Sequence, residues 1–218
     1  MRPESKAIID TLVSRYPSLG ICRDDIESAF DVLARCFSTD HKLLIGGNGG
    51  SAADSEHIVG ELMKGFMKSR AIGPKAREAL NISCPDEAEY IGARLQGALP
   101  TISLTGSPAL ATAFGNDVDP AMSFAQQVFG LGRRGDALLA ISTSGNSKNL
   151  VYAAYVARAF GLPVVALTGV NGGRLAAIAN VAIRVPERET YRVQELHLPV
   201  YHALCAMLET EFFPSGQP

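Results

Sequence analysis

The chain predicts a three-layer α/β/α sandwich, and three observations carry that expectation. Five short apolar runs of strand length occur at 42–46, 99–104, 137–141, 164–168 and 181–185. Segments of helical period lie between most of them. Two of the runs break at their carboxyl ends into glycine- or serine-rich loops that open directly into a helix. Strand and helix in alternation require right-handed crossovers and a parallel sheet, with ligand binding beyond the carboxyl ends of the strands.

Size and charge narrow the function classes. The 218 residues suit one α/β domain spanning 1–218, with enough length for a substantial core. Lys and Arg number 20 against 22 Asp and Glu, a net charge of −2, so no global positive field draws in nucleic acid or anionic lipid. No apolar stretch reaches membrane-spanning length, and MRPESKAIID lacks the apolar region of a signal peptide. Cys22, Cys36, Cys84 and Cys205 are scattered without a C-x-x-C pair, which points to reduced thiols and a cytoplasmic protein.

Taken in order, residues 4–16 and 24–38 read as helices, the second capped near Asp24 and Asp25. Residues 1–39 therefore pack outside the sheet or against another subunit. The strand KLLIG runs into a glycine turn and a helix from about 51 to 67. Between 67 and 99 the pattern weakens. Gly73-Pro74 breaks any helix, and Pro85-Asp86-Glu87 opens a short one near 86–96. A surface excursion is the favoured reading of this stretch, a flap over the site the other. Helices near 120–131, 146–160 and 172–180 separate the later strands. A last helix, from about 190 to 213, precedes a polar tail. Pro199 removes an N–H within it and predicts a bend or unwinding of its first turns.

The stretch ALLAISTSGNSKN (137–149) goes from strand through a polar loop to a helix start. Free N–H groups at a helix N-terminus suit an anion, and Ser142, Thr143, Ser144 and Ser147 add hydroxyl donors. The lysine of a P-loop is missing, so one phosphate monoester is the natural guest, an ordinary capping turn the alternative. His57 and Glu61 lie four apart on one helical face just after the GNGGS turn. Such a pair chelates a divalent metal, works as an acid/base pair, or is simply solvated. The last helix carries Arg192, Gln194, Glu195, His197 and His202 among apolar residues. Gln194 and His202 share a broad face; His202 alone reads as a core histidine, His197 as a neighbour's support or a solvent-facing group, and His41 as a surface residue. Gly115-Asn116-Asp117 reads as a polar corner whose amide and carboxylate bind sugar hydroxyls or form a turn.

Together these segments resemble the sugar isomerase (SIS) fold, and within it the phosphoheptose (sedoheptulose-7-phosphate) isomerases. The matching motifs are G-N-G-G-S at 47–51, D-x-x-H-x-x-x-E at 54–61, G-N-D at 115–117, I-S-T-S-G-N-S at 141–147, L-T-G-x-x-G-G at 167–173 and R-x-Q-E-x-H at 192–197, followed by His202. They stand in the family's order across residues 40–210. The resemblance implies a flavodoxin-like, five-stranded parallel sheet and a homotetramer with active sites at subunit contacts. Carried over by position, it implies that Ser142, Thr143, Ser144 and Ser147 hold the phosphate with Ser51 assisting. Asn48, Gly49, Gly50, Asn116 and Asp117 would address the sugar, with Arg192 and Gln194 in the substrate-binding set. Glu61 and His202 correspond to the proton-transfer pair. In metal-bound members His57, Glu61, Gln194 and His202 correspond to ligands of one zinc per subunit. Two departures bear on the substrate: residues 69–98 are longer than the family's usual link, and Pro199 lies inside the motif-bearing helix.

The implied reaction converts sedoheptulose 7-phosphate to D-glycero-D-manno-heptose 7-phosphate through an enediol, the first step of nucleotide-activated heptose synthesis. Two alternatives stand beside it. One is a non-catalytic tetrameric SIS adaptor that binds the replication-initiator protein, the other an isomerase of a different sugar phosphate. Retention of His57, Glu61, Gln194 and His202 favours the enzyme, since an adaptor has no physical use for a converged acid, base and ligand set.

Overall fold

The computed structural model describes residues 1–214, so the polar tail at 215–218 lies outside the described residues. Two N-terminal helices, α1 (Pro3–Arg15) and α2 (Arg23–Ser38), are joined by a 3-10 turn. Strand β1 (Leu43–Gly47) leads into α3 (Gly50–Met63). Two short helices, α4 (Pro74–Ser83) and α5 (Ala88–Gly92), precede β2 (Thr101–Ser103). The chain continues through α6 (Pro108–Asp117), α7 (Ser123–Leu131), β3 (Ala137–Ser142), α8 (Lys148–Ala159) and β4 (Val164–Gly169). It ends with α9 (Gly173–Ile178), β5 (Val181–Val185) and the long α10 (Thr190–Phe212).

All five strands are parallel, in the order β2-β1-β3-β4-β5. That is the flavodoxin-like order, with its switch point between β1 and β3. Strand period sorts the core into two layers. Leu43, Ile45, Leu139, Ile141, Val165 and Leu167 face α1, α2, α3 and α10. Leu44, Leu138, Ala140, Val164 and Ala166 face α7, α8 and α9. The expected three-layer sandwich stands, and the N-terminal helices cover one face of the sheet. No helix among the described residues is long and apolar enough to cross a membrane.

Several local expectations need correction. Pro74 starts a helix rather than breaking one, because at the first helical position its missing N–H costs nothing. The 86–96 helix shrinks to five residues. Residues 115–117 are not a corner but the last turn of α6, a helix opened by Pro108. The 51–67 helix stops at Met63. The runs read as uniformly buried include two edge strands: Ile102 on β2 is 37% exposed, and Arg184 on β5 faces solvent. Helix α10 runs unbroken through Pro199, held by buried residues on both sides of it.

Candidate active site

The switch point brings two loops together. At the end of β1, Gly49 takes φ +56° to turn the chain into α3, and a side chain at Gly47 would strike the Ser51 backbone. At the end of β3, Gly145 takes φ +66° with the Gly172 carbonyl packed against it, and its own carbonyl accepts from Leu175 N–H at 2.9 Å. Asn48 and Asn149 exchange reciprocal amide hydrogen bonds of 3.0 and 2.9 Å, which fix one loop against the other. Between them lies a cavity of about 310 Å³ lined by Asn48, Gly49, Gly50, Ser51, Ser142, Thr143 and Ser147, with Gln194 and Thr190 from α10. The Ser142 and Ser147 hydroxyls are 3.0 Å apart. The N-termini of α3 and α8 both open here, so hydroxyls, free N–H groups and two helix dipoles favour an anion.

A second centre lies further along α3 and α10. His57 Nε2 is 3.2 Å from Glu61 Oε1 and 3.4 Å from His202 Nε2. The Tyr201 hydroxyl is 3.0 Å from His57 Nδ1 and 3.3 Å from Asp54 Oδ1. The imidazoles of His57 and His202 meet edge to face at 5.0 Å, and Phe66 lies 5.6 Å from the His202 ring. The Glu61 side chain is 13% exposed, and its Oε2 is buried with no hydrogen-bond partner among the described residues. Burial and then the neighbouring His57 push His202 below the ordinary imidazole range, against the pull of Glu61, which favours the neutral ring. A carboxylate oxygen without a hydrogen-bond partner, with Lys64 Nζ 3.8 Å away and an imidazole beside it, is a base next to a proton shuttle.

The donor set also suits a divalent ion. A tetrahedral zinc with bonds of ~2.0–2.1 Å has ligand atoms roughly 3.3–3.4 Å apart, close to the two separations around His57 Nε2. As the side chains stand, no group of three His, Cys, Asp or Glu among the described residues forms a metal site. Gln194 lies over Gly50 at the cavity, two helical turns from His202.

Beneath Glu61 sits a pair the sequence reading missed. Arg70 and Glu209 are wholly buried and joined at 2.8 Å. The guanidinium also donates to the Leu62 carbonyl at 2.8 Å and the Glu61 carbonyl at 2.9 Å, near the C-terminus of α3. Glu209 accepts from the Phe66 and Met67 N–H groups, both at 2.8 Å. The available signal was Glu209 in the apolar last turns of α10, two residues before a second acid, Glu211.

Other expected residues fall elsewhere. Asn116 and Asp117 are exposed, bonded to each other at 3.0 Å, and do not line the cavity. Ser144 accepts from Asn146 N–H at 3.2 Å and is also outside the lining. Arg192 is exposed beside the Tyr191 hydroxyl. His197 neither faces solvent nor supports a neighbour: it is fully buried, and neither ring nitrogen has a partner among the described residues. His202, read alone as a core histidine, is partly exposed beside His57.

Residues 88–169 match the family model of the SIS domain. A phosphoheptose isomerase of Coxiella burnetii is 34% identical over 211 residues, covering 95% of this chain and 93% of that protein. One from Rhodospirillum rubrum is 35% identical over 209 residues, covering 96% and 97%. Among solved structures, the phosphoheptose isomerase of Neisseria gonorrhoeae superposes with a TM-score of 0.72 at 31% identity, over 95% of this chain and 94% of that one. That of Francisella tularensis gives 0.71 at 28% identity, over 96% and 100%.

Proposed function

The chain belongs to the phosphoheptose isomerase family, and we propose that it interconverts sedoheptulose 7-phosphate and D-glycero-D-manno-heptose 7-phosphate. One observation carries the reading: the anion cradle and the acid–base centre lie on the same two helices, a sugar's length apart. Gly50 lines the cradle, and His57 follows seven residues later, roughly 10 Å along α3 at 1.5 Å per residue. A staggered seven-carbon chain advances roughly 1.3 Å per bond, so its C1 lies about 10 Å from a phosphorus on O7.

The phosphate binds among Ser51, Ser142, Thr143 and Ser147, and Asn48, Gly49, Gly50 and Gln194 meet the sugar. Anchoring at that end holds C1 and C2 at Glu61 and His202, so remote binding energy orients the reacting carbons. Glu61 takes a proton from C1, and the released electron pair forms the C1–C2 double bond of an enediol. His202, neutral, gives a proton to O2 and takes one from O1. Glu61, 13% exposed and exchanging its proton with solvent, then delivers a proton to C2, which completes the aldose. One zinc per subunit on His57, Glu61, Gln194 and His202 would polarise the carbonyl and stabilise the enediolate oxygen. The donor types and the two separations at His57 support His57, Glu61 and His202 in that set, while the Gln194 amide stands apart from them over Gly50.

The same reading assembles four copies, with active sites at subunit contacts. Asn116 and Asp117, exposed and outside their own chain's cavity, would serve a neighbour's. It also places the protein in the cytoplasm, consistent with four free thiols.

Glu61→Gln tests the chemistry. Turnover falls at least ~100-fold, while isothermal titration of the sugar phosphate shows nearly unchanged affinity. A Glu61→Gln enzyme with the normal rate removes Glu61 from the reaction.

A further inference from the structure

Tyr201 and Asp54 take no part in the proton transfers above, yet they stand directly behind the imidazole that faces Glu61. Tyr201 is 2% exposed and precedes His202 on α10, while Asp54 precedes His57 by three residues on α3, one turn away. The two helices thus set a carboxylate, a phenol and an imidazole in series, at 3.3 Å and then 3.0 Å.

Their proton inventory decides the direction of both bonds. A carboxylate accepts only, and a phenol has one proton to give. Both contacts are satisfied when Tyr201 donates to Asp54 and the Nδ1–H of His57 donates to the Tyr201 oxygen. The ring's lone pair then sits on Nε2, facing Glu61 Oε1 at 3.2 Å and His202 Nε2 at 3.4 Å. A lone pair beside a carboxylate oxygen at that separation offers a cation two ligand atoms at once. The reverse arrangement, with a protonated Asp54 donating to the phenol and the phenol to Nδ1, would put hydrogen on Nε2. That hydrogen would bond Glu61 and shut an ion out.

We propose that Asp54 and Tyr201 form a positioning relay that selects the Nδ1–H tautomer of His57 and presents its Nε2 lone pair, toward Glu61 and His202, to a divalent ion. Neither is a catalytic residue, because both act through His57. The zinc half of the inference rests on the ion assigned above. The tautomer half rests on the three side chains alone.

Two readouts test it. The chain has four histidines, so 15N-histidine labelling with a His57→Asn control identifies the His57 ring nitrogens by NMR. In chelated protein at pH 9, His57 is expected as the Nδ1–H tautomer, and Tyr201→Phe, which keeps the ring but removes the hydroxyl, mixes the tautomers. Competition with a chromophoric chelator then measures zinc affinity. Tyr201→Phe and Asp54→Asn each weaken it about 10–100-fold, the range for lost outer-shell partners of a metal-bound histidine. If Asp54→Asn does not fold, Tyr201→Phe alone decides. An Nε2–H tautomer in the unmodified chain overturns the relay, as does a folded Tyr201→Phe variant whose zinc affinity stays within twofold. A wild-type chain that takes up no zinc defeats the metal assignment of the preceding section instead, and the tautomer measurement still decides the relay.

Discussion

Gly50 has the Gln194 amide directly over it, and a methyl group there would push that amide out of the cavity. Spacing within one helix is what a sequence reveals best, and this contact between α3 and α10 is not of that kind. The His57–Glu61 pairing was legible because four-residue spacing places two side chains together on any helix. The parts played by Tyr201 and Asp54 were not, since they depend on how α10 lies against α3, a fact no spacing along either segment contains. His197 was misjudged for a related reason: a polar residue in an amphipathic stretch gives no sign that its ring ends up fully buried. Burial lowers its pKa to about 4. The unfolded chain therefore binds a proton near pH 6.5 that the folded chain refuses until about pH 4. This term stabilises the fold fully above pH 6.5 and is lost as pH falls from there toward 4. The expected loss is about 3 kcal/mol, at 1.36 kcal/mol per pKa unit. Urea titrations from pH 7 to pH 4 check this: His197→Leu should lose about that much less stability over the window than the unmodified chain, and equal losses would contradict the assignment.

Among the elements, the five strands and the main crossover helices were readable because each joins a distinct period to a clear break. The errors cluster at prolines and short helices. Pro74 and Pro108 both open helices, and only the choice between first-turn and interior position separates a starter from a breaker. Pro199 is the interior case, yet α10 continues because Val193, His197 and the run from Val200 onward are buried around it. The Arg70–Glu209 pair ties the 64–70 segment and the end of α3 to the last turns of α10. Removing one partner leaves a buried charge without its counterion. Arg70→Met should therefore destabilise the protein by about 3–5 kcal/mol in urea unfolding. Adding Glu209→Leu should recover only part of this, because the Phe66 and Met67 N–H groups lose their acceptor. A loss under about 1 kcal/mol for Arg70→Met would show that the clamp is not needed.

At the scale of the whole molecule, the parallel sheet brings loops from residues 47–51 and 142–147 to its switch point, while α3 and α10 carry the acid–base groups away from them. The order of motifs forecast this meeting, because ligand sites in such sheets lie beyond the strand ends. What the sequence left dark was which polar residues lie outside the cavity of a single chain. Asn116 and Asp117 sit at the end of α6, a helix with no buried residue although most of it is apolar, and Val118 just after it is 66% exposed. Such a face suits contact with another copy. Sedimentation equilibrium should give four times the chain mass of 23.1 kDa, and a monomer at enzyme-assay concentrations would contradict the shared-site reading. The most direct test of the proton-transfer account is to incubate the protein with sedoheptulose 7-phosphate in deuterium oxide and follow the product by NMR. The account predicts an aldose 7-phosphate carrying deuterium at C2. An aldose with only hydrogen at C2, or no aldose at all, would contradict it.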